Sequence, residues 1–385
     1  MSAVEPQRND HQKVSAPQPA IINPSTRLAS LDALRGFDMF WILGMEEVAR
    51  DLGKANHGWF ATFFATQLEH VKWEGFHFLD LIFPLFVFIA GVSITLSLRR
   101  SLVEQGRPAT LRKLAVRCLI LFFLGILLYG GISGGLEKVR LLGVLQRIAS
   151  AAFCAGTIYC FTSWRGQLAW AVGLLIGYWA LLTFVPVPGG GAGHFAEGEN
   201  LANYLDRIWL PFRKWDGDHD PEGLLSTLPA VATCLLGVLT GVFLQRQDLT
   251  PRQKTAWLFA VGAGLVAAGW LWGLQFPVIK KIWTSSYVLV AGGYSCLLLG
   301  AFYGIIEVAG CRRWAAPFIW IGMNPITLYV LNHFVSMDKL ASALVGGHKM
   351  NFFGAAQDLV IAIVVVALNF ALARFLFVRK IFLRV

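Results

Sequence analysis

The feature that most constrains this chain is its recurrence of uninterrupted apolar runs about as long as a bilayer core is thick. A hydrocarbon layer of roughly 30 Å needs about 20 apolar residues in a helix. The runs Phe78–Leu98, Leu168–Pro186, Leu224–Leu244 and Val288–Ile306 meet that demand. Only 15% of the 385 residues are charged, against about 25% in ordinary soluble domains. The charges gather between the runs. The chain therefore reads as all-α, a polytopic membrane bundle of about ten transmembrane helices. The expected segments are 29–49, 77–98, 113–131, 141–161, 167–186, 224–244, 255–274, 285–306, 314–335 and 356–378.

Charge placement predicts the orientation. Residues 99–113 carry five basic side chains against Glu104, a net of +4. Residues 245–254 net +2, the 307–313 turn holds Arg312 and Arg313, and the stretch from Arg374 carries four positives without an acid. Lys and Arg accumulate in short cytoplasmic loops. With ten spans these loops share one side, and both termini are cytoplasmic. The opposite side is acidic: 187–223 holds seven acids and three bases, a net of −4. Lys280 and Lys281 are the basic exception on that outer side. The overall charge of +10 is thereby explained by loops and lipid headgroups, and no nucleic-acid partner is expected. The six cysteines (118, 154, 160, 234, 296 and 311) show no CxxC pairing and read as small core residues. Residues 1–26 are polar and read as a disordered cytoplasmic tail, with 27–385 as one transmembrane domain.

Several charges stand where hydrocarbon is expected. Asp32, Arg35, Asp38, Glu46 and Glu47 lie in or beside the first segment. A charge in a span costs a few kcal/mol unless it is paired or faces a watery cavity, so this helix is expected to line a site. His70 precedes the second segment among Glu69, Trp73 and Glu74, with Asp80 one turn into the helix. A carboxylate beside a histidine fixes its tautomer and raises its basicity. A metal site from His70, His77 and Asp80 is the weaker reading, because no HxxxH or HExxH spacing occurs; no metal is expected. Arg147 lies inside the fourth segment. Pro325 breaks the ninth beside Asn324, and broken helices at membrane depth line cavities. Arg35, Arg117, Arg147 and Asn324 together describe a polar route through the bundle, although Arg117 also fits a residue reaching toward the inner headgroups. The outer loop ends in Trp215-Asp-Gly-Asp-His-Asp-Pro-Glu222, an acidic, aromatic mouth suited to a cationic sugar or simply a solvated loop. It lacks the twelve-residue calcium frame.

An ordered set of segments resembles the heparan-α-glucosaminide N-acetyltransferase family. These are Arg27-Leu-Ala-Ser-Leu-Asp-Ala-Leu-Arg-Gly36, His70-Val-Lys-Trp-Glu-Gly-Phe-His-Phe-Leu-Asp80 and its continuation to Ile89, Gly143-Val-Leu-Gln-Arg-Ile148, Asp220-Pro-Glu-Gly-Leu-Leu-Ser-Thr227, Lys281-Ile-Trp-Thr-Ser-Ser-Tyr287 and Gly322-Met-Asn-Pro325. The resemblance implies acetyl transfer from cytosolic acetyl-CoA to the amine of a glucosamine across the membrane, with His70 at the family's active-site histidine. Glu46 stands where the family has an active-site asparagine. The large extra-membrane domain of the animal enzymes is missing, which suggests a bacterial inner-membrane relative acting on free glucosamine or a similar small amino sugar.

On this reading His70 is the general base, with Asp80 or Glu69 as its orienter and Glu46 beside it. Glu69, Trp73, Glu74, Asp220 and Glu222 hold the acceptor. Arg35, Arg117, Arg147 and Asn324 hold acetyl-CoA, a co-substrate; Asn324 is also one candidate for the oxyanion donor, whose identity the sequence leaves open. Direct transfer in a ternary complex is preferred over an acetyl-histidine intermediate. An O-acyltransferase of envelope polysaccharide and an amino-sugar transporter are the alternatives. Membrane lipid is a further partner, and the oligomeric state, a homodimer included, is open.

Overall fold

Apolar length selects seven helices in the computed structural model, and an eighth span if a pair bent by 62° counts as one. The structure describes residues 28–55, 58–346 and 356–382; the tail expected at 1–26 lies outside them. The helices are α1 (Ala29–Phe40), α2 (Glu46–Ala55), α3 (Trp59–Gln67), α4 (Leu79–Leu128), α5 (Val144–Phe161), α6 (Trp164–Phe184), α7 (Leu201–Trp209), α8 (Thr227–Leu244), α9 (Pro251–Gly273), α10 (Ser285–Tyr303), α11 (Ala316–Gly322), α12 (Pro325–Phe334), α13 (Met337–Leu344) and α14 (Gln357–Val378). Among the described residues there is no strand, only isolated bridges.

The 50 residues of α4 would extend about 75 Å if straight, far beyond one bilayer core. They fold back at Gly106, whose φ of 76° is open to glycine. Thr110 Oγ1 donates to Ser101 Oγ at 2.9 Å, although nine residues of straight helix would separate them by about 13 Å. This one element therefore supplies two of the expected segments, 77–98 and 113–131. The first expected segment is helical too, but its charges keep it out of the apolar set. The bent pair is α11–α12, broken at Asn324-Pro325.

The first segment is also broken. After α1 the backbone passes through a π-turn, Trp41–Met45, with Gly44 at φ 118°, and restarts as α2 at Glu46. A carbonyl released inside a bilayer finds no water to accept from. Asn369 of α14 answers it, donating to Leu43 O at 3.0 Å. Asn332 of α12 in turn donates to Asn369 Oδ1 at 2.7 Å. The break that positions Glu46 is thus held from two other helices.

Packing relies on small residues, as expected where lipid supplies no hydrophobic contrast. A Cβ on Gly36 would meet Phe318 O at 1.7 Å, and one on Gly322 would meet Asp32 O at 1.8 Å. Helices α1 and α11 therefore touch backbone to backbone. The helices α4, α8 and α10 form the buried centre. Helices α6, α9 and α14 are peripheral and turn Trp170, Ile176, Trp257, Leu271 and Ile363 outward.

Alternation puts the loops after the first, third, fifth and seventh segments at one end, and there they meet. Gly75 N donates to Val278 O at 2.9 Å, and Arg213 N to Val139 O at 3.1 Å. Trp73 Nε1 donates to Phe195 O at 2.9 Å.

Candidate active site

At this end the segment 68–78 is pinned to the segment 274–284. Glu74 bridges Ile279, and Gly75 reaches Val278 with φ 124°. The pairing brings Lys280 to His70 across 210 residues of chain. His70 Nδ1 lies 2.8 Å from Asp80 Oδ1. Lys280 Nζ lies 2.9 Å from His70 Nδ1 and donates to Asp80 Oδ1 at 3.1 Å. Asp80 also accepts from Val71 N at 3.3 Å and His77 N at 3.1 Å. Tyr287 Oη donates to its backbone carbonyl at 2.7 Å. Asp80 is 1% exposed and His70 56% exposed. A buried, fully bonded carboxylate therefore orients a half-open imidazole. Burial pulls Lys280 below its ordinary pKa, opposed by Asp80, Glu222 and Glu46. Glu46 thus lies within electrostatic reach of the cluster, as Glu222 does.

A second cluster at the same end is closed. Arg140 donates to Asp220 through Nε at 3.0 Å and Nη2 at 2.7 Å, a two-pronged fork, and also to Glu222. Its guanidinium lies 4.6 Å from the Tyr129 ring and 4.8 Å from the Trp215 ring. Asp220 also accepts from Trp215 N and Glu222 N. Burial pushes the Glu222 carboxyl up, against the pull of Arg147 and Arg140. Asp206 lies beneath, accepting from Leu224 N at 2.8 Å and Asp220 N at 3.4 Å; burial raises its pKa to about 6. The carboxylates of Asp220 and Glu222, expected to hold a substrate ammonium, are instead buried partners of an arginine.

Arg147 joins these clusters. It donates to Gly223 O at 3.3 Å and to Ser226 Oγ, and its guanidinium lies 4.9 Å from the Trp283 ring. Its Nε and Nη1 are buried with no hydrogen-bond partner among the described residues. Trp283 takes φ 53°, a costly conformation for a bulky residue, and is held by its Nε1 bond to Thr233 Oγ1 at 3.0 Å.

Lys281 points the other way from Lys280. Glu197, Asp216 and His219 present ligand atoms within 4.8 Å of one another. Lys281 Nζ already lies 2.7 Å from Glu197 Oε1 and 3.0 Å from Asp216 Oδ2. An ammonium thus serves there as the cation, and it ties the acidic outer loop to the residue next to Lys280.

The expected polar route divides. Arg35 donates to Asp32 at 3.1 Å, Gly322 O at 3.1 Å and Ser93 Oγ at 2.8 Å. Asn324 donates to Ile381 O at 3.0 Å, and its Oδ1 is a buried orphan. Both sit away from His70: Arg35 is bonded to Ser93, thirteen residues beyond Asp80 on α4, about 20 Å of helix rise. Asn324 is therefore too far away to donate to an oxyanion beside His70. Arg117 is exposed on α4 between Val116 and Leu119, which also face outward, and does not line an interior route. Of the substrate candidates, Trp73 packs under the outer loop, while the Glu69 and Glu74 side chains are exposed and hold nothing fixed. Lys280 and Arg140 were not expected. Lys280 had one sequence signal, its breach of the charge pattern on the acidic side.

No family model matches the chain. It is similar to heparan-alpha-glucosaminide N-acetyltransferase from Homo sapiens, 30% identical over 364 residues, 79% of this chain and 52% of the human protein. The Mus musculus protein of the same name is 28% identical over 434 positions, 96% of this chain and 63% of the mouse protein. The chain thus spans between half and two thirds of the relatives' length. Over that shared length the chain is similar to the heparan-alpha-glucosaminide N-acetyltransferases.

Proposed function

We propose that this chain transfers the acetyl group of acetyl-CoA to the primary amine of glucosamine or a related small amino sugar. In this proposal transfer takes place at the His70 end of the bundle, taken as the outer face of a bacterial inner membrane, a reading that the Lys/Arg-rich loops at the other end support. One observation carries the reading: Asp80 holds Nδ1 of an imidazole whose ring stays half open. Oriented in that way, Nε2 is the free lone pair. A base of this kind removes the proton that an amine must shed as it attacks a thioester. The ammonium first loses one proton to solvent; the new N–C bond then forms as the C–S bond breaks, and the second proton passes from the amine nitrogen through Nε2 to the departing sulfur. A single ternary complex suffices for this sequence.

The interior suits a long donor carrying amides. Among the described residues Asp38 Oδ1 and Oδ2 and Asn324 Oδ1 are buried acceptors without a hydrogen-bond partner, and Arg147 Nε and Nη1 are buried donors without one. Such groups pair with the amide N–H and C=O groups of a pantetheine arm, and buried polar atoms without partners are costly otherwise. Glu46 at the start of α2 is our candidate for attracting the acceptor's ammonium, in keeping with its charge and its electrostatic influence on Lys280.

Purified protein in nanodiscs, given acetyl-CoA and a panel of amino sugars, should release free CoA thiol and form an alkali-stable N-acetyl sugar. An alkali-labile ester would point instead to O-acyl transfer. Movement of labelled sugar without any acetyl donor would point to a transporter.

A further inference from the structure

Lys280 has no part in the chemistry just described, yet it lies against the atoms that perform it. Its Nζ is 2.9 Å from His70 Nδ1 and 3.5 Å from Nε2. An atom in line with the Nδ1 lone pair would lie far from Nε2, across the ring. Near-equal distances to both nitrogens put the ammonium over the imidazole face. The in-plane direction at Nδ1 belongs to Asp80 Oδ1 at 2.8 Å. Proton counting follows. Lys280 has only donors, and so does a protonated ring nitrogen. The arrangement that satisfies Asp80 has Nδ1–H and Lys280 both donating to Oδ1, with the Nε2 lone pair free.

We propose that Lys280 is a positioning residue that keeps His70 an unprotonated base, by setting a positive charge over the imidazole face while sharing the carboxylate that orients it. Asp80 alone would favour the imidazolium, since an adjacent anion stabilises a cation. A ring that is already imidazolium before the amine arrives has no lone pair to accept the amine's proton. The cation above the ring opposes protonation, while Asp80 preserves the tautomer. Among the described residues, the other charged or titratable groups facing this cluster include Tyr287 from α10, Glu46 from α2, Glu222 from the loop before α8, and Glu69 and His77 from the histidine's own loop. Two features hold Lys280 at its post: the backbone pairing of Val278 with Gly75, and the anchoring of Lys281 by Glu197 and Asp216.

The inference rests on the reading of His70 as base, so its test must not depend on turnover. Diethyl pyrocarbonate modifies only unprotonated imidazole, and the exposed ring is open to it. The probe is applied to the full-length protein in nanodiscs across a pH series. Trypsin cleavage at Lys72 separates His70 from His77, and because the resulting 55–72 peptide also carries His57, fragment ions that place the added mass on His70 are followed by mass spectrometry. Removing a cation shifts the balance toward imidazolium. In Lys280→Met the midpoint of His70 modification should therefore rise by about one pH unit or more. Lys280→Arg, which keeps the charge, should stay near wild type. The acid limb of the kcat/KM profile should move with the midpoint. If Lys280→Met proves unstable, Lys280→Gln carries the same expectation. An unchanged midpoint in a folded neutral variant overturns the proposal. So does an equal shift in Lys280→Arg. If wild-type protein acetylates no amine while the midpoint still moves, the function reading fails and the role of Lys280 stands.

Discussion

Two ion clusters share one end of this bundle and have opposite character. In the Arg140–Asp220–Glu222 cluster the charges are buried, paired and covered by aromatic rings. In the His70–Asp80–Lys280 cluster one member is buried and the other two keep access to the surface. Saturation makes the first cluster structural: each charge is committed to another. Incomplete saturation makes the second available for chemistry, because a ring nitrogen is left over. Acidic residues near a mouth are therefore weak evidence of substrate binding until their partners are known.

The largest difference between the clusters should appear in turnover. His70→Ala should lower the acetylation rate by about 100- to 10,000-fold, the usual worth of a positioned base, with little change in the thermal unfolding midpoint. Arg140→Met should do the reverse. It strands two buried carboxylates, and breaking such a pair costs about 3–5 kcal/mol, read as a large loss in thermal or detergent-induced unfolding. If Arg140→Met leaves stability intact while activity falls, the division into structural and chemical clusters is wrong.

A smaller effect concerns the support of the closed cluster. Asp206 holds its proton to about pH 6 in the folded state, whereas an unfolded chain releases it near pH 4. Between those values the folded protein binds more protons, so stability should fall as pH rises. The full effect is about 3 kcal/mol. Asp206→Asn should flatten that slope in unfolding measured from pH 4 to 7. The smallest expected effect is at Asn369→Ala, which removes the donor to Leu43 O and should cost about 1 kcal/mol. If the break at Gly44 positions Glu46, KM for the amino sugar should rise in this variant while kcat changes little.

Much of the architecture was legible because membrane insertion leaves a one-dimensional record. Apolar length marked the all-helical membrane class and most of the long helices, seven or eight of which pass as spans against the ten expected, and the basic stretch 99–113 marked the reversal that the structure puts at Gly106. His70 and Asp80 were legible as a pair because only ten residues separate them. The unusual cost of charges near Glu46 was visible for the same local reason. Lys280 was not legible as a partner, since 210 residues intervene and only the pairing of Gly75 with Val278 brings it home. The acidic loop misled: Asp220 and Glu222 read as solvent-facing because nothing near them in sequence announces Arg140, 80 residues earlier. Asn324 was correctly seen at a helix break, but its depth depends on the packing of α1 against α11 through Gly36 and Gly322, which composition does not encode.

The account turns on a donor entering from one face of the membrane and an acceptor meeting it beside His70 at the other. Sealed proteoliposomes of known orientation test this directly, with acetyl-CoA confined to the side of the basic loops and amino sugar to the side of His70. N-acetyl sugar should form on the His70 side, and none should form when the two substrates exchange compartments. Product only when both are supplied on the same side would contradict it.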